Sequence, residues 1–467
     1  MLQRIFTFTT LALLTGCQSI NPGSSFKEVQ SLVQDRTQQQ VQWRTGSAED
    51  QQAEAAVREL LSKELTAASA EQIALLNNRS LQATYEELGI AQAAVVQAGL
   101  LKNPVFDMAI KFPSGGGSAA LDMGIAQDFL DVLFIPMRQR IATAQLDAAT
   151  MEVAAQVIDT AGATRLAFLQ VQADEQILEL RKQILTGSEA SYDFAKRLNT
   201  AGNLRNFDLS NEQASLAQYR LDLAAAEAAL QENREKLTVL MGLWGDDTQW
   251  KIAKNLPELP SETLDLENIE KRAIAKSIDL AVIQKRIDAL SQEFGFARST
   301  SLVQEFEAGV AAERGEGHWE VGPSFAVPLP LFDQGQAKVA TAHAQLRREQ
   351  ETLAHQAVAI RSAARTARLR LINAQQTVLF YRNEILPLRE RIVKDTMLQY
   401  NAMQVSVFQL LMARSQQIDA NRRYIEALHD YWRSRAQFDL LLAGRMSESG
   451  PPMRSSEPAG GGPARGH

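Results

Sequence analysis

Charged residues recur at two-residue spacing in four short stretches of this chain: Asp107 and Lys111, Asp122 and Asp128, Glu305, Glu307 and Glu313, then His318 and Glu320. Seven acids stand against one lysine, which leaves −6 on these positions per chain. Carboxylates at that density do not belong in a dry core. Lining water, they would draw cations and repel anions. His318 and Glu320 share a strand face and could meet a borderline metal, although such a pair is more often simply solvated. Met397, Met403 and Met412 offer thioethers for copper, and chance placement on helices is the commoner explanation. His318, His343, His355, His429 and His467 have no ligand spacing, and neither a Gly-rich phosphate loop nor a nucleophile elbow occurs. No catalytic residue, resident metal or cofactor is expected.

The elements that carry these charges alternate with period two. Phe106, Met108, Ile110 and Phe112 oppose Asp107, Ala109 and Lys111; Leu121, Met123, Ile125 and Phe129 oppose Asp122, Gly124, Ala126 and Asp128. Phe306, Ala308, Val310 and Ala312 oppose Glu305, Glu307, Gly309 and Glu313; Trp319, Val321, Phe325 and Val327 oppose His318, Glu320, Gly322 and Ser324. Strands are predicted at about 105–112, 119–129, 302–313 and 318–328, turned by Gly115-Gly116-Gly117 and Gly315-Glu316-Gly317. Each is near the length a tilted membrane strand needs. A half-buried antiparallel sheet in a soluble domain would pattern similarly, but nothing else in the chain supplies a second sheet for the apolar face. Lipid is then the remaining cover. Four strands cannot close a barrel, and hydrocarbon tolerates no open edge. Three copies would give twelve strands and a pore, whereas two would give eight and a filled interior.

The rest of the chain reads as long helices, about 137–200, 207–242, 266–298, 336–400 and 407–444, with 71–101 before the first strand. An irregular stretch with Pro257 and Pro260 spans 244–263. The plan is stated twice, about 198 residues apart: Leu133-Phe134 and Ile141-Ala142-Thr143-Ala144 return as Leu331-Phe332 and Val339-Ala340-Thr341-Ala342. Leu75 to Leu81 pairs with Ile274 to Leu280, and Leu240-Met241-Gly242 with Leu442-Ala443-Gly444. Expected boundaries are a first repeat at 69–265 and a second at 266–446. A periplasmic coiled coil would explain the helices alone.

The first sixteen residues form a secretory signal, with Arg4 before an apolar stretch. Leu14-Thr15-Gly16-Cys17 resembles a bacterial lipobox, which implies cleavage before Cys17 and lipidation of that residue. Cys17 is the only cysteine, so no disulfide can form. Residues 17–68 are expected as a lipidated segment and linker, and 447–467 as a disordered tail. Loss of Arg4 takes the formal charge from −7 to −8, which argues against nucleic acid as a partner. No apolar run of a spanning helix's length follows the signal.

Over roughly 70–445 the chain resembles the TolC-like outer-membrane efflux factors, particularly their lipoprotein members. Pro328-Leu329-Pro330-Leu331-Phe332-Asp333-Gln334-Gly335 carries most of the resemblance, with Lys102-Asn103-Pro104, Pro387, Gly242 and Gly444 in support. The resemblance implies a mixed α and β membrane protein built as a homotrimer. Four β-strands per chain would contribute to a 12-stranded outer-membrane β-barrel that continues into a long α-helical periplasmic barrel. It further implies a periplasmic adaptor, an inner-membrane efflux pump and contact with outer-membrane lipid. The pore-lining candidates are then Asp107, Lys111, Asp122, Asp128, Glu305, Glu307, Glu313, His318 and Glu320. Relatives often place Tyr-x-x-Gly and acids at the helix turns that narrow the tunnel. Here Tyr400 is present, Met403 stands in place of the Gly, and no acid lies between Tyr400 and Asp419. The aperture candidates are Gly202, Asp208, Met403 and Ser406, with Asp208 reading equally well as a helix-start carboxylate.

Overall fold

The computed structural model describes residues 23–112, 119–260, 265–301, 306–315 and 318–446. Cys17, Glu305, the centres of both strand turns and the segment 447–467 lie outside the described residues. Helices α1 (Gly23–Thr37), α2 (Ala48–Leu61), α3 (Ala67–Asn77) and α4 (Arg79–Gly99) precede strands β1 (Val105–Lys111) and β2 (Ala120–Asp128). Helix α5 (Leu130–Thr200) descends and α6 (Asn206–Met241) returns. Helices α7 (Ile269–Lys276) and α8 (Ile278–Ser299) lead to β3 (Glu307–Gly315) and β4 (His318–Ala326). Helices α9 (Gln336–Phe380) and α10 (Leu386–Asn401) descend in series, and α11 (Val407–Leu442) returns. At about 1.5 Å per residue, the 71 residues of α5 make roughly 105 Å of rod. No helix among the described residues is long and apolar enough to cross a membrane.

Several expectations need correction. The stretch expected as a linker before residue 69 holds α1 and α2, because Phe26, Val29 and Val33 line one face of α1 and are buried against Tyr85 and Ile158. The helix expected over 71–101 breaks at Asn78, whose side chain accepts from the Ser80 and Leu81 amides at 2.8 and 3.2 Å. The helix expected over 266–298 breaks at Ser277, whose hydroxyl accepts from the Leu280 amide at 3.2 Å. Both are N-cap residues set inside an apolar pattern, and capping decides the boundary. Helix α5 starts at Leu130 rather than near 137 and carries Pro136 inside its first two turns. Proline removes one helical N–H, and the carbonyl this frees belongs to Val132, a residue 49% exposed near the start of the helix. Among the described residues the third strand runs 307–315, two residues past the expected end at 313, because its ladder on β4 reaches Gly315 opposite His318; 302–305 lie outside the described residues. A five-residue π-turn, Tyr381–Ile385, joins α9 to α10 just before Pro387. Pro387 cannot donate to a helical carbonyl, and the widened turn absorbs that defect.

Glycines close the two return helices in the same way. Gly242 ends α6 at φ +66° and lies against Asn77 and Asn78; Gly444 follows α11 at φ +101° and lies against Lys276 and Ile278. The Asn77 side-chain amide donates to the Gly242 carbonyl at 2.7 Å, and the Ile278 amide donates to the Gly444 carbonyl at 2.9 Å. A Cβ at either glycine would strike backbone, so only glycine fits the left-handed turn and the close approach together.

Candidate pore-lining face and helix turns

The strands pair in the order β1-β2-β3-β4, all antiparallel. Register decides which side chains share a face. Asp107 faces Gly124, Asp122 faces both Ala109 and Glu313, and Glu313 faces Glu320. Asp128 faces Glu307, and His318 faces Gly315. The sheet therefore gathers Asp107, Lys111, Asp122, Asp128, Glu307, Glu313, His318 and Glu320 onto one side. The other side presents Phe106, Met108, Ile110, Ile125, Val310, Val321 and Phe325, all exposed. An antiparallel sheet in a soluble domain would bury such a face.

Within the polar face, Asp122, Glu313 and Glu320 form a direct cross-strand row of three carboxylates. Like charges placed directly opposite one another destabilise a sheet, and Lys111 relieves this row in part through its ion pair with Asp122. Asp107 occupies the space over Gly124, where a Cβ would collide with its carboxylate. Asp128 departs from the reading as an open lining charge. It is 8% exposed, accepts the Leu130 amide at 3.1 Å and pairs with Lys102 Nζ at 3.0 Å. It starts α5 and neutralises a lysine rather than facing open solvent. Beside it, Asp131 accepts from the Lys102 amide and from Arg138, both at 3.1 Å, which ties the strands to the long helix. Sequence reasoning missed Asp131 and Arg138, since nothing in a period-two pattern marks them. It also missed Arg314, which sits on the apolar side over the Trp319 ring at 5.9 Å. Extending the third strand by two residues would have put Arg314 there.

At the far end, the turns after α5 and α10 share one geometry. Gly202 (φ +74°) donates its amide to Asn199 O, and Asn203 donates to Leu198 O, both at 2.9 Å. Met403 (φ +58°) donates to Tyr400 O, and Gln404 to Gln399 O, also at 2.9 Å. Met403 thus holds a left-handed position that favours glycine. Its side chain is 94% exposed. Asp208 is bound one turn back to Arg205 Nε at 2.9 Å, which makes it a neutralised helix-start acid. Ser406 begins α11, its amide donating to Gln409 Oε1 at 3.3 Å, as the capping-box spacing predicts. No cluster of three His, Cys, Asp or Glu side chains among the described residues could hold a metal ion.

A four-stranded sheet continuous with two very long helical hairpins defines the class. The chain has the fold of the TolC-like outer-membrane efflux channels, and the resemblance carried by its motifs is borne out. Cobalt-zinc-cadmium resistance protein CzcC of Cupriavidus metallidurans is 23% identical over 389 residues, covering 81% of this chain and 90% of that protein. Among solved structures, CusC, described for transmembrane channel formation, superimposes with a TM-score of 0.67 at 14% identity, covering 82% of this chain and 93% of that one. The Campylobacter jejuni CmeC outer membrane channel gives a TM-score of 0.65 at 16% identity, covering 82% and 87%. No protein-family model matches the chain. These relatives are channel and resistance proteins, not enzymes.

Proposed function

We propose that the protein is the outer-membrane exit duct of a tripartite efflux system, conducting passively what an inner-membrane pump and a periplasmic adaptor deliver. One observation carries this reading: a four-stranded sheet with an acidic face, an exposed apolar face and two edges, β1 and β4, that are unpaired among the described residues. Open edges and a bare apolar face are both removed if three protomers pool their strands into a closed barrel in lipid. The chain then divides into a signal at 1–16, a lipid anchor at Cys17, repeats at 69–265 and 266–446, and a tail. The parallel order of elements in the two halves supports the repeats. Asp107, Asp122, Glu307, Glu313 and Glu320 line the pore and favour cations. The likeness to a cobalt-zinc-cadmium resistance protein supports metal cations as cargo. A lipid-anchored coiled-coil spacer would leave the apolar strand face without a purpose. Extraction from outer membranes tests the choice. A detergent-dependent, heat-labile trimer is expected, and a monomer released without detergent would favour the spacer.

A further inference from the structure

The long helices α5 and α11 run side by side, and a cleft of about 370 Å³ opens between the middle of α5 and the last turns of α11. The loop at 253–257 and the segment at Leu65 close its other sides. That volume lies within the range of small-molecule sites. Leu65, Phe168, Leu169 and Ala436 back it as buried core residues, and Trp432 and Pro257 give it open apolar surface. The Trp432 indole N–H already donates to the Pro257 carbonyl at 2.7 Å. The ring therefore has no donor left, and what it offers a guest is π surface. Gln172 holds the loop in place, its amide donating to the Ala253 and Asn255 carbonyls at 3.2 and 3.4 Å.

Charge narrows the guest further. Two guanidinium groups border the cleft, and each already has its carboxylate. Arg165 makes a two-pronged pair with Glu71, the longer contact 3.1 Å, and Arg435 Nε binds both Asp439 oxygens at 3.0 and 3.1 Å. An anion would have to compete with a formed ion pair, and a cation would find no open acid. At the rim, the exposed Asn255 side chain makes no hydrogen bond to a described residue and is open to a guest's polar group. From this we infer that the cleft is a binding site for an uncharged aromatic small molecule, its rings against Trp432 and Pro257 and a polar substituent toward Asn255 at the rim. Such a guest would remove apolar surface from water and tie α5 in the first half of the chain to α11 in the second. The site does not depend on whether the strands conduct.

The test uses the full chain in lipid nanodiscs, titrated with N-phenyl-1-naphthylamine as a neutral aromatic probe. The expected result is saturable uptake of one probe per chain, excited by energy transfer from Trp432. Trp432→Phe should lower that transfer, leaving the share that Trp250 of the adjoining core contributes, while uptake persists. Ala436→Leu fills the cleft and should weaken binding at least about tenfold. Because Ala436 is buried and its replacement can disturb the helix seam, Ala253→Trp at the exposed rim provides a second block with the same expected loss. The anionic probe 1-anilinonaphthalene-8-sulfonate should bind at least about tenfold more weakly. Uptake that rises linearly with lipid and is unchanged in both blocking variants would overturn the site. Equal binding of the anionic probe would overturn its assignment to uncharged guests.

Discussion

Met403 holds, at φ +58°, the turn position that Gly202 holds at +74° after α5. A left-handed conformation costs a residue with a Cβ about 1–2 kcal/mol, so Met403→Gly should stabilise the fold by about 1 kcal/mol in chemical denaturation; a loss would mean that the exposed thioether makes contacts not visible in one chain. A second residue-scale test concerns Glu71, buried on α3 and joined to Arg165 of α5. Burial raises its carboxyl above the usual range, and the hydrogen bond and charge of Arg165 oppose that without cancelling it. The folded state therefore holds this proton more tightly than the unfolded chain, and stability should fall as pH rises from the ordinary carboxylate value of 4.5 through the raised one. Glu71→Gln should flatten that slope. Glu71→Ala, which leaves Arg165 only the longer contact to Asp439 at 3.9 Å, should cost about 3 kcal/mol. The sequence could not reveal this pair, because 94 residues separate its members. The role of Asp128 was partly hidden: alternation placed it on the polar face, its bond to the Leu130 amide is a local turn contact, and only the fold brings Lys102 to it.

At the scale of elements, strand faces were legible because alternation and antiparallel register are the same fact seen twice. Strand ends and helix breaks were less so. Asn78 and Ser277 interrupt apolar periodicity as N-caps, a signal available in sequence but outweighed there by the helical pattern around them. Phe26, Val29 and Val33 carried helical spacing that a reading as linker overlooked. The two tip hairpins differ in support. Helices α5 and α6 are joined by Arg181 to Asp222 at 2.8 Å, Asn233 to Asp174 at 2.7 Å and Ser191 to Glu212 at 2.8 Å. Helix α10 buries no residue and hangs below a π-turn. Amide hydrogen exchange should consequently be faster across 386–401 than across 185–200, since local opening follows sparse packing. Equal protection in the isolated protomer fold would show that the π-turn is no point of weakness.

At the scale of the whole molecule, the order of helices and strands along the chain was legible, whereas what covers the edges of the sheet was not, since a single chain leaves β1 and β4 at its margins. Helices α5 and α6 pack with α11, α9 and α8 into a long wall, and the apolar strands stand bare at one end. Pooling three such sheets into one barrel would set the Asp122, Glu313 and Glu320 row of each protomer around one pore. Nine carboxylates relieved by three lysines should dominate the field there. The direct measurement is reversal potential under a potassium chloride gradient across a planar bilayer holding the purified protein. Stable conductance steps with cation preference are expected, and the preference should shrink when Asp122, Glu313 and Glu320 are replaced by their amides. Anion preference, or no conductance from a properly inserted protein, would contradict the proposed duct.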